Sequence, residues 1–124
     1  MRRLTITTAL SLAVLCLTLV ATAKQNQFGV ADSHDVTLTQ PTLVGDVLLP
    51  AGDYKVIHTM EGENHIMVFK KLNTKNPAEA RVKCQLVPLT QKATRSEQIF
   101  VFNAANQRVL HTLIFKGESA QHEF

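Results

Sequence analysis

From about residue 34 onward, apolar residues recur at every second position. The run Ala80 to Leu89 shows this most clearly: Val82, Cys84 and Leu86 fall on one side, Arg81, Lys83 and Gln85 on the other. Successive side chains of a strand point to opposite faces, so a period of two marks an extended chain with one wet and one apolar face. Such a sheet must bury its apolar face against another layer. Turn-forming clusters interrupt the pattern every eight to twelve residues. They divide the chain into strands at Val36–Thr39, Thr42–Leu49, Tyr54–Met60, His65–Leu72, Ala80–Leu89, Gln98–Asn103 and Arg108–Phe115, with a bend at Gly45-Asp46 inside the second. About seven strands of this length predict an all-β, antiparallel sandwich, with a small barrel as the alternative.

The first 23 residues differ in kind. Arg2 and Arg3 precede an uncharged stretch from Leu4 to Val20, and Ala21-Thr22-Ala23 supplies small residues at the spacing that signal peptidase reads. The expected layout is a leader over 1–23 cleaved after Ala23, a flexible tail over 24–33, a sandwich domain over 34–118 and a C-terminal tail over 119–124. Export to the periplasm or the cell exterior follows, with no membrane insertion after cleavage. Of 13 basic and 10 acidic residues, Arg2 and Arg3 lie in the leader. The remaining chain is nearly neutral, which argues against a nucleic-acid partner. Cys16 also lies in the leader, so Cys84 stands alone after cleavage and reads as a buried, inert thiol.

Leu49-Pro50-Ala51-Gly52-Asp53-Tyr54-Lys55-Val56 has the form L-P-x-G-x-Y-x-V. It resembles the strand–turn–strand segment of exported prealbumin-like and collagen-binding B-type sandwich modules. Together with Val44-Gly45-Asp46, it is similar to a group of small exported bacterial proteins of unknown function, over about residues 36–72. The resemblance implies an immunoglobulin-like or prealbumin-like sandwich whose corner tyrosine, Tyr54, bonds back to the backbone. It implies no chemistry, and no set of Lys, Asn and acidic residues suggests the isopeptide bond of some such modules.

No motif for enzymatic chemistry stands out. The chain has no Gly-x-Ser-x-Gly elbow, its five glycines never take G-x-G spacing, and the one cysteine expected to remain after cleavage cannot make a Cys-x-x-Cys zinc pair. One constellation remains. If Met60 pairs with His65 across the hairpin, then Thr59 faces Ile66, His58 faces Met67, and His58, Met60, His65 and Met67 share one face. Two imidazoles and two thioethers suit copper, Cu(I) above all; the competing reading makes the methionines core filler. His34 and His122 read as solvated tail residues, His111 as a core-edge histidine, and Phe100, Phe102 and Phe115 as core packing. The first expectation is therefore a non-enzymatic module of the cell envelope, without cofactor, that binds a protein or surface component. The second is a periplasmic copper-binding protein using His58, Met60, His65 and Met67.

Overall fold

A computed structural model describes residues 28–124. The expected leader and the start of the expected tail, residues 1–27, lie outside the described residues. What is described is all-β, with nine strands: β1 (Ser33–Leu38), β2 (Thr42–Val44), β3 (Val47–Leu49), β4 (Gly52–Glu61), β5 (Asn64–Lys71), β6 (Glu79–Pro88), β7 (Glu97–Phe102), β8 (Arg108–Ile114) and β9 (Ala120–Glu123). Their order is β1-β4-β5-β6-β9-β8-β2-β3, with β7 on the other side of β8 and no closure into a barrel. Among the described residues no helix is long and apolar enough to cross a membrane.

Strand β6 turns this sheet into two layers. Its first half, Glu79 to Cys84, pairs with β5, and its second half, Gln85 to Pro88, pairs with β9. One layer is thus β1-β4-β5-β6, and the other continues from β6 through β9 and β8. Inward residues from both, among them Leu38, Tyr54, Val56, Met67, Phe69, Leu110 and Leu113, form one core cluster. All pairings are antiparallel except that of β2 with β8, which touch in parallel at Leu43 and Val109.

The count rises from seven to nine for two reasons. Thr42 to Leu49 is a tight hairpin rather than a bent strand, because Gly45 takes a φ of 59° and reverses the chain. The expected C-terminal tail is strand β9, inserted between β6 and β8. Ala120 and His122 point inward at period two, and Phe124 packs on the core beyond them. The described part of the expected N-terminal tail is also tied down. Val30 is buried, the Ser119 N–H donates to the Phe28 carbonyl, and the His58 N–H donates to the Asp32 carbonyl.

The closing hairpin corrects two further expectations. Ile99 opposes Thr112 whereas Phe100 opposes Leu110, so His111 is an extra residue bulged out of β8. The bulge breaks the alternation: Leu110 and Leu113 are both buried, and His111 is exposed rather than at the core edge. Phe115 joins the core and Phe100 packs against it, but Phe102 is 65% exposed. Phe100 also lies beneath the Arg108 guanidinium, 3.7 Å from ring centroid to Cζ.

At the L-P-x-G-x-Y corner, Tyr54 is fully buried and its hydroxyl donates to the Pro50 carbonyl at 2.6 Å. Tyr54→Phe leaves that carbonyl without its donor. It is expected to cost about 1 kcal/mol of stability in urea unfolding with the fold intact; an unchanged midpoint would count against the corner as a structural tie.

Candidate metal centre

The site begins at a turn. Glu61 pairs with Asn64 across Gly62 and Glu63, and Gly62 has a φ of 61°. Glycine at the first central position is what a two-residue hairpin loop of this hand requires. That turn fixes the register of β4 on β5: Met60 opposite His65, Thr59 opposite Ile66, His58 opposite Met67. His58, Met60, His65 and Met67 therefore share the interior face, as the sequence predicts. Met67 is fully buried within the core cluster, while the other three are half-buried toward the hairpin end.

The next two strands extend this face. On β6, Cys84 lies opposite His65; on β9, His122 lies opposite Leu86. The Nδ1 of His65 is 3.2 Å from the Nε2 of His58, with the rings stacked at 5.1 Å, and one imidazole donates to the other. The Cys84 Sγ is 3.9 Å from the Nδ1 of His122. His58, Cys84 and His122 each offer a ligand atom within 4.8 Å of the other two. Around a four-coordinate ion with bonds of about 2.0–2.3 Å, ligand atoms stand roughly 3.3–3.8 Å apart. A contraction of about an ångström would close the set on an ion.

Behind His122 stands Glu118, from the turn between β8 and β9. It is 2% exposed and accepts three hydrogen bonds: from His122 Nε2 at 2.9 Å, from His34 Nε2 at 2.7 Å and from the Ala31 N–H at 3.1 Å. Burial alone would raise its pKa, but the bonds from His122, His34 and Ala31 more than offset this and hold the carboxyl at about 2. His34 is stacked flat on Phe115, with ring centroids 3.5 Å apart. Neither His34 nor His122 is a solvated tail residue: His122 is fully buried, and the His34 side chain is 16% exposed.

The electrostatics favour neutral ligands. Burial first, then the nearby imidazoles of His122 and His65, push His58 down to about 4, against a smaller upward pull from Glu118 and Asp32. Burial and His122 lower His65 as well. Burial raises the Cys84 thiol to about 11. Cys84, His122 and Glu118 have the connectivity of a nucleophile, a base and an orienting carboxylate. Nucleophilic catalysis, however, calls for a reachable thiolate, whereas burial raises the Cys84 thiol to about 11 and leaves the residue 4% exposed. A bound cation, which displaces the thiol proton and needs neutral imidazole, suits the same atoms better.

Sequence reasoning reached the two strands joined by a short turn and missed the two that come from afar. Cys84 was legible as buried but not as the neighbour of His65, since alternation does not reveal strand order. His122 had a signal in Ala120, His122 and Phe124 at period two, masked by polar neighbours. Comparison of the chain with models of protein families, with curated proteins and with solved structures gives no match.

The depressed imidazoles make the metal-free protein acid-sensitive. His58 is ordinarily half-protonated at 6.5 and in the fold only at about 4, so the unfolded chain takes up the proton first. The contribution is fully present above about pH 6.5 and is lost as pH falls through 4. Glu118, lowered from 4.5 to about 2, adds a second loss between those values. Urea midpoints recorded from pH 7 down to 3 should fall steadily, with the decline already evident between 6.5 and 4; a flat profile there would contradict the burial of neutral His58.

Proposed function

We propose that this domain is an exported, non-enzymatic β-sandwich module of the cell envelope that binds a copper ion through His58, Cys84 and His122. One observation carries the reading: three ligand-type side chains from three strands, β4, β6 and β9, converge with their donor atoms within 4.8 Å. His65 stands beside His58 as a further imidazole, and the thioethers of Met60 and Met67 lie on the same face.

The donor chemistry favours copper. Two imidazoles and a thiolate, with thioethers on the same face, form a soft to borderline set that suits copper in either common oxidation state. Oxygen-seeking ions such as calcium or magnesium prefer several carboxylates, whereas Glu118 beside the site already accepts three hydrogen bonds. Burial of Cys84 and His122 suits a bound ion held out of solvent better than a surface that rinses free of it. The sandwich supplies rigidity, since each ligand sits on a paired strand rather than in a loop.

Titration with copper under native mass spectrometry tests this directly. One ion per chain is expected, with an intense thiolate-to-copper charge-transfer band in the visible when Cu(II) is bound. Cys84→Ser should abolish the band and weaken uptake by more than ~100-fold, and His122→Ala should weaken it comparably. Uptake of zinc in preference to copper overturns the choice of metal; uptake of neither ion overturns the reading.

A further inference from the structure

We infer that Glu118 is a positioning residue for this centre: its carboxylate holds the His122 ring with Nε2 protonated, so that the bare Nδ1 faces Cys84. The inference rests on the copper reading and adds to it the group that prepares the site before any ion arrives.

The geometry leaves little freedom. An ionised carboxylate can only accept hydrogen bonds, so an imidazole nitrogen 2.9 Å from Glu118 Oε1 must carry the hydrogen. A ligating imidazole must be the form with a single N–H, and at His122 the contact with Glu118 takes that hydrogen on Nε2. Its other nitrogen, Nδ1, is then a lone pair, and it is this atom that lies 3.9 Å from Cys84 Sγ. The opposite tautomer would place a hydrogen between His122 and the thiol, and an ion would have to expel it and turn the ring. Imidazole ligands commonly have their second nitrogen fixed by a carboxylate in this manner, which also raises the basicity of the ligating nitrogen.

Glu118 is itself held on all sides. Its second oxygen accepts from His34 and from the Ala31 N–H. Its backbone N–H donates to the Phe115 carbonyl, and its own carbonyl accepts from the Ala93 N–H. His34 in turn is pinned on the Phe115 ring. A carboxylate so constrained cannot swing into the ligand set, which separates an orienting role from a ligating one. Loss of its charge should therefore change how His122 presents its lone pair, not the number of ligands.

The experiment reads the tautomer and the affinity separately. In the copper-free wild-type chain, nitrogen NMR of the histidine rings should show His122 with Nε2 protonated and Nδ1 bare; a protonated Nδ1 overturns the inference whatever the variants do. Cu(I) affinity, measured against a competing chelator, should fall about 10- to 100-fold in Glu118→Gln, with partial recovery in Glu118→Asp. Thr42→Val removes another fully buried polar group, outside the site, and should lower stability without lowering the affinity. If Glu118→Gln binds Cu(I) as the wild type does, or if Thr42→Val weakens binding equally, Glu118 has no positioning role. Failure of the wild-type chain to take up copper would instead count against the copper reading, while the tautomer measurement still decides the orientation of His122.

Discussion

Everything at the interior seam depends on the register between β4 and β5. The side-chain period of a strand is two, so a slip of one residue would carry His58 and Met60 to the solvent face and bring Ile57 and Thr59 inward. The short turn at Gly62 prevents that slip locally, and burial of Val56 and Phe69, which face each other farther along the ladder, penalises it globally. Turn chemistry and core packing therefore specify the same alignment. That agreement is why a pair of imidazoles can stand at the edge of an apolar core in a fixed relation.

A second constraint comes from Glu118. An ionised carboxylate in an apolar seam is costly unless its oxygens are fully occupied by donors. Here the donors come from the segment before β1, from β1 and from β9, while the carboxylate comes from the turn after β8. One charged group thereby ties together stretches of chain more than eighty residues apart in sequence. Among the described residues, every buried side-chain nitrogen and oxygen has a partner, as a polar cluster within a core requires.

Much of the fold was legible in the sequence where physics acts locally. Alternation revealed the strands, Pro and Gly marked the corners, and closure of a short turn on Gly62 and Glu63 aligns His58 with Met67. What was not legible was non-local. Strand order in a sandwich depends on which faces meet across the core, and no local signal places β9 between β6 and β8. The bulge at His111 breaks parity without leaving a mark in residue type. Phe102 is exposed although its residue type argues for burial: it is the last residue of β7, past the point where Phe100 packs on the core. Half of the candidate site thus came from a hairpin and could be anticipated. Cys84, Glu118 and His122 became neighbours only through the layer change along β6.

The late position of β9 in the chain has a consequence for assembly. Until residues 120–123 are available, the second half of β6 and the facing stretch of β8 have bare backbone edges, and the two layers lack the strand that joins them. Pairings between such distant segments form slowly, because the intervening loop must be closed before any contact rewards it. The β1-β4-β5 layer is built from nearer neighbours and can order earlier, with His58 and His65 already side by side. His122 then arrives with the strand that fills the gap between β6 and β8. Ligand convergence and insertion of β9 are on this account a single event, and an ion retained at the seam would report that β9 had docked between the two strands.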